Sequence, residues 1–152
     1  MIKRITNPKE ADALAKDIRD IFSSEEDESI GHYFLEHNVD SILEVFNNKQ
    51  SLYCSCFVWA NEENSKFDSV VIFLRDNNPK FGREIFTEYL WLSKNPKIGF
   101  KLLKTAINFA RANNFEYISV SHTEKNPQKE KLAKLYNKLG FKKDCVSYIG
   151  KL

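Results

Sequence analysis

The chain has 152 residues, 42% hydrophobic and 13% aromatic, which is ample apolar material for one core and crowded for two, so a single domain over residues 1–152 is expected. No run approaches the ~20 apolar residues of a membrane span, and Met1-Ile2-Lys3-Arg4-Ile5-Thr6 lacks the apolar stretch of a secretory signal, which points to the cytoplasm and to no membrane partner. The net charge of +2 is unevenly spread: residues 1–93 carry 10 basic and 17 acidic side chains and residues 94–152 carry 13 and 4, so either an amine-facing half precedes an anion-facing one or solvated faces differ in sign.

A short strand is predicted over Ile2 to Ile5. Asn7 before Pro8 reads as a helix cap with proline at the first helical position, and Leu14, Ile18, Ile21 and Phe22 supply the stripe of a helix ending at Ser23-Ser24. Past the acidic run Glu25 to Glu28, a second helical region takes its contacts from Ile30, Tyr33, Phe34, Ile42, Leu43, Val45 and Phe46. Leu52 to Ala60 is apolar on both sides of an alternating run and predicts a central strand, closed by a polar turn at Asn61 to Asn64. Ser69 to Leu74 is a β-branched strand ended by Asp76-Asn77-Asn78-Pro79, and Glu84 to Leu92 is the third strand of an antiparallel meander.

The period then becomes helical. Ile98, Leu102, Leu103, Ala106, Ile107, Phe109 and Ala110 recur on one side, with Lys101, Lys104, Asn108 and Arg111 opposite. Tyr117 to Ser121 reads as a buried strand. Asn126-Pro127 caps a last helix with Leu132, Leu135, Tyr136 and Leu139 on one face and Gly140 at its stop, and Cys145 to Ile149 reads as a closing strand. The order βααβββαβαβ implies an α/β (α+β) fold, a mixed and mostly antiparallel sheet with helices on both faces. Only helical connections are long enough for a crossover, so strands 84–92 and 117–121 should be parallel neighbours.

Three cysteines cannot all pair, and Cys54 and Cys56 alternate within an apolar run as small buried strand side chains do. They are rejected as acyl acceptors, since nothing cationic in sequence activates them. No metal is expected: the CxC pair has no second cluster, and His32, His37 and His122 lack the spacing that brings two imidazoles to one ion.

Chemistry concentrates in Glu84 to Phe109, where a strand runs through a basic loop, Ser93 to Gly99, into the long helix. A helix start offers free N–H groups and a positive dipole end to a pyrophosphate, glycine admits an anion close to the backbone, and Lys94, Lys97 and Lys101 add charge. A lone glycine at a helix start is more often loop chemistry, and the motif's context is what raises it.

Glu88-Tyr89-Leu90-Trp91-Leu92, then Lys97-Ile98-Gly99-Phe100-Lys101-Leu102-Leu103, then Phe109-Ala110 before Asn113-Asn114 resembles the central motif of the GNAT N-acetyltransferases. Leu135-Tyr136-Asn137-Lys138-Leu139-Gly140-Phe141 is similar to that family's LYxKLGF box, and Tyr148 falls in the closing strand; residues 1–83 agree in pattern only. The shortened, lysine-rich loop is most like small bacterial and phage members. The resemblance implies a V-shaped opening between strands 84–92 and 117–121. There the backbone of Trp91 and Leu92 would bond the pantetheine arm of acetyl-coenzyme A, the cosubstrate, and Lys94, Asn95, Lys97, Ile98, Gly99, Phe100 and Lys101 would meet its phosphates. The family loop reads Q/R-x-x-G-x-G/A; here Lys94 stands first and Lys97 replaces the first glycine, while Pro96 brings no N–H.

Transfer of an acetyl group to an amine needs the amine deprotonated, the carbonyl polarised and the thiolate protonated, with no covalent intermediate. The resemblance gives Tyr136 the proton for the leaving sulfur. Glu88 on the opening's strand is the candidate base, against a solvated carboxylate, with Glu84 next; a strand N–H, that of Leu92, would polarise the carbonyl. His122 has a suitable intrinsic pKa and reads as an ordinary surface residue.

The acceptor class is a primary amine on a small molecule, peptide or protein, and the acidic half is its expected face. The alternative is a catalytically weak or inactive member of the same fold serving as a binding or regulatory protein. Glycine restored at Lys97 is expected to raise activity in a weak enzyme and to leave it absent in a binding protein. Nucleic acid ranks last, because aromatic side chains in 94–143 mostly fall on apolar helix faces rather than among the lysines. A homodimer would use edge strands and Trp59 or Trp91.

Overall fold

A computed structural model describes residues 1–22, 55–78, 82–122, 128–146 and 148. The predicted helical region of residues 25–46, the strand start at Leu52 to Cys54 and the Asn126-Pro127 cap lie outside the described residues. The chain divides into two compact units, Met1–Ser121 and His122–Leu152.

In the first unit β1 (Ile2–Ile5) leads into α1 (Pro8–Phe22), whose start is fixed by local chemistry: Asn7 Oδ1 accepts the Lys9 N–H at 2.8 Å and Pro8 sits in the first turn. β2 (Cys56–Glu63), β3 (Lys66–Asn78) and β4 (Arg83–Ser93) then form the expected antiparallel meander. α2 (Pro96–Ala112) crosses over to β5 (Tyr117–Ser119), which lies parallel to β4. The sheet order is β1-β2-β3-β4-β5.

Both faces of β2 and β3 are buried, as their unbroken apolar runs require. On one face Leu14 and Ile18 of α1 pack with Val58, Val70, Ile72 and Leu90. On the other, Phe57, Trp59 and Phe86 meet Phe109 of α2, and Phe73 stacks on Phe86 with ring centres 4.5 Å apart and planes 4° from parallel. Arg4 lies over Phe109 at 4.8 Å, Arg75 over Phe115 at 5.1 Å.

Several boundaries depart from the sequence reading. The polar run Asn61 to Glu63 continues β2, because Asn61 is buried and satisfied by distant groups, accepting from the Met1 amine and donating to Asp68. The turn is Asn64-Ser65, both at positive φ (51° and 61°), as a two-residue hairpin between right-twisted strands demands. β3 likewise runs on through Asp76, Asn77 and Asn78, which pair with Ile85, Glu84 and Arg83 of β4. β5 is three residues long and exposed at Tyr117 and Ser119 rather than buried, because its ladder engages β4 only from Ile85 to Thr87.

The second unit contains α3 (Lys129–Lys138), with Gln128 rather than Asn126 at its N-cap. It ends in two reciprocal bonds, Phe141 N–H to Tyr136 O at 2.9 Å and Gly140 N–H to Asn137 O at 3.1 Å, with Gly140 at φ 89°. That is a Schellman stop, completed by contact between the Phe141 and Tyr136 rings at 5.9 Å. α2 ends in the same way on Asn114 (φ 61°), with Phe115 N–H bonded to Ala110 O. No strand forms at Cys145, Val146 and Tyr148, where Val146 and Tyr148 are exposed: without a backbone ladder an apolar alternating run has nothing to hold it extended.

Candidate active site

The informative geometry of the first unit lies where β4 and β5 part. Their parallel ladder ends at Thr87 and Ser119. One residue on, the β3–β4 register slips, since Ile72 faces Leu90 while Phe73 faces Glu88, leaving Tyr89 as the extra residue of a bulge. The slip changes which side chains share a face. Leu90 and Leu92 belong with Tyr89 to the core under α1, yet Glu88 shares Phe86's face, the one under α2. A strictly alternating strand would have put Glu88 beside Leu90.

Glu88 is half-buried there, and its Oε2 accepts the Ser121 N–H at 2.9 Å, so the carboxylate spans the gap that opens once the ladder stops. Burial pushes its pKa up to about 7, with the Ser121 N–H pulling partly the other way. Glu84, the other candidate, is exposed and ion-paired with Arg75 at 3.0 Å. Cys56 is buried, and desolvation pushes its thiol up to about 12, as an inert core cysteine requires; Cys54 lies outside the described residues.

Beyond Thr87, no described strand pairs with β4 on its β5 side, so the backbone edge of Glu88 to Ser93 on that side has no ladder partner among the described residues. Trp91 and Leu92 are half-buried, and the Trp91 indole N–H donates to Gly99 O at 3.1 Å, tying β4 to the first turn of α2. A second tie comes from hydroxyls: Ser93 Oγ donates to Asn95 O at 2.8 Å, which leaves the buried Ser69 as donor in the 2.9 Å Ser69–Ser93 contact. No sequence signal marked Ser69, Ser93 or Ser121.

The predicted loop of residues 93–99 is largely helix, because Asn95 caps and Pro96 starts it. Pro96 forfeits nothing, since the N–H at that position has no partner within a helix. Lys97 N–H goes to Asn95 Oδ1 at 3.0 Å and Gly99 N–H to Asn95 O at 2.9 Å, leaving Ile98 as the amide of the turn still to be bonded. Gly99 has a packing reason to be glycine: a Cβ there would stand 3.1 Å from Ser93 Cβ. Lys94, Lys97 and Lys101 are exposed around it; Phe100 is half-buried, with Lys104 Nζ 5.7 Å from its ring centre. One amide and three ammoniums fit a pyrophosphate by charge more than by a cradle of N–H donors.

In the second unit the Schellman stop locks Tyr136, which is buried and lies between the Phe141 ring and that of His122, whose centre is 6.4 Å away with planes 9° apart. His122 is exposed, as expected of a surface residue, yet stacked on this tyrosine.

No family model matches the chain, and no curated protein matches it significantly in sequence. Solved structures do match in fold. A ribosomal-protein-alanine N-acetyltransferase from Brucella melitensis biovar Abortus 2308 superposes with a TM-score of 0.65 at 12% identity, covering 100% of this chain and 99% of the other. An aminoglycoside acetyltransferase from an uncultured soil metagenomic sample, solved with sisomicin, gives 0.68 at 13% identity, covering 100% and 95%. A predicted acetyltransferase from Clostridium acetobutylicum, solved with acetyl-CoA, gives 0.65 at 17% identity, covering 100% and 95%. At these identities the likeness is one of fold, and it is the α+β fold that the sequence resemblance implied.

Proposed function

We propose that the chain, built on the fold those acetyltransferases share, is an acyltransferase that moves an acetyl group from acetyl-coenzyme A to a primary amine. The observation that carries this reading is Glu88: a half-buried carboxyl held where β4 and β5 separate, with a pKa raised to about 7. A base whose conjugate acid titrates near neutrality suits deprotonation of an ammonium at cellular pH.

Acetyl-coenzyme A supplies the thioester. Glu88 accepts the amine proton, directly or through one water. The Leu92 N–H is assigned to the carbonyl oxygen, where charge grows as the amine nitrogen bonds to carbon. Tyr136 is assigned the proton that the sulfur takes as the C–S bond breaks; this role rests on the LYxKLGF box alone. Ile98 N–H with the ammoniums of Lys94, Lys97 and Lys101 would hold the phosphates, Asn95 fixes the turn, and the backbone of Trp91 would bond the pantetheine arm. Acceptors of the neighbouring structures, an aminoglycoside and a ribosomal-protein alanine, support an amine-bearing small molecule or polypeptide as the acceptor class here.

Calorimetric titration with acetyl-CoA tests the cofactor without guessing the acceptor. Binding near 1 μM, roughly −8 kcal/mol, supports the enzyme. Absence of binding at millimolar acetyl-CoA overturns it and leaves a binding protein on the same fold.

A further inference from the structure

We propose that the exposed face of α2 docks the phosphodiester backbone of a structured nucleic acid. From Tyr89 to Phe115 the chain contains no Asp or Glu and five cations. Four of these, Lys97, Lys101, Lys104 and Arg111, follow one another by four, three and seven residues, with Asn108 between the last two. At 100° per residue they lie within ~80° of one another around the helix, and at 1.5 Å per residue they extend ~21 Å along it. All are exposed, and none forms an ion pair with a described residue. Three other cations of the same unit are matched: Lys3 with Glu10 and Glu62, Arg75 with Glu84, Arg83 with Glu116.

A pyrophosphate at the first turn of α2 accounts for Lys97 and Lys101. Arg111 stands ten residues past Lys101, ~15 Å farther on, beyond what one diphosphate can span. A linear polyanion is the ligand that a single-signed stripe of this length complements, by releasing the counterions condensed on it. A lipid surface is disfavoured, since none of the exposed large apolar side chains lies on α2. The same absence of exposed aromatics was the sequence argument against nucleic acid, but it bears only on base stacking; contacts to a folded backbone need cations alone.

The test is fluorescence anisotropy of the full chain with an RNA stem-loop, a DNA duplex and poly-glutamate of equal charge, from 50 to 200 mM salt. Wild type is expected to bind nucleic acid with a log K against log salt slope of up to about −4, at about 0.9 per phosphate contacted. In Lys104→Ser/Arg111→Ser the slope is expected to lessen by about 2 and Kd to rise at least tenfold at 50 mM salt, with acetyl-CoA affinity unchanged. Whether RNA or DNA binds more tightly identifies the source of the phosphodiester. A slope untouched by the double substitution, Kd above ~100 μM for both nucleic acids, or tighter binding of poly-glutamate overturns the proposal. Nucleic acid binding without acetyl-CoA binding would refute acetyl transfer and leave the docking surface standing, and the converse result would do the opposite.

Discussion

Restoring the glycine that the acetyltransferase loop pattern calls for at position 97 is expected to weaken acetyl-CoA binding, against the sequence-based expectation. Lys97 is the second residue of α2, its side chain is exposed, and its N–H is already bonded to Asn95 Oδ1 at 3.0 Å. Glycine there exposes no further donor. It removes one ammonium from the phosphates, and an exposed contact of that kind is worth about 1 kcal/mol. With tenfold per 1.4 kcal/mol, Kd should rise about fivefold in Lys97→Gly. Lys97→Gln, which keeps the helical side chain and drops the charge, should lose as much, and the gap from wild type should narrow between 50 and 200 mM salt. Calorimetry with acetyl-CoA on the three proteins decides it. Tighter binding by Lys97→Gly would refute the reasoning and show that the lysine side chain obstructs the phosphates.

Turnover of an amine acceptor should rise with pH through an apparent pKa of about 7 as Glu88 ionises, and Glu88→Gln, which can still accept the Ser121 N–H, should lose about 100-fold or more in kcat at pH 8 and flatten that limb. Because folding raises this pKa from 4.5 to about 7, the folded state binds the proton more tightly: wild type should lose about 1–3 kcal/mol of stability as pH climbs from 4.5 past 7, and Glu88→Gln should not, as denaturant midpoints across pH will show. Gly99→Ala places a Cβ 3.1 Å from Ser93 Cβ, pushes α2 off β4 and should cost about 1–3 kcal/mol, seen as a Tm lower by roughly 2–10 °C. Gly140→Ala strains the φ 89° stop of α3 and should cost about 1 kcal/mol by thermal melt; an unchanged Tm would mean the stop does not fold as described.

The helices α1, α2 and α3 were legible in the sequence because their determinants are local. Asn7-Pro8 starts α1, Gly140 stops α3, and Leu102, Leu103, Ala106 and Ile107 recur at the spacing that the buried face of α2 needs; the same Asn-Pro start at Asn95-Pro96 stands where a loop was expected. The meander and the parallel β4–β5 pair followed from connection lengths, and Glu88 could be placed on the right strand. What the sequence left open was settled by partners distant along the chain. Asn61 continues a strand because Asp68 and the Met1 amine satisfy it, so polarity there does not mark a turn. Cys145, Val146 and Tyr148 form no strand because a strand exists only in a ladder, and β-patterning cannot supply a neighbour. Most consequentially, the bulge at Tyr89 comes from two strands holding different registers on either side of it, which no period in one strand encodes. It is that slip which turns Leu90 and Leu92 to the other face of the sheet and leaves Glu88 as the last side chain of β4 on Phe86's face, where its carboxylate accepts the Ser121 N–H and burial lifts its pKa into the range of a working base.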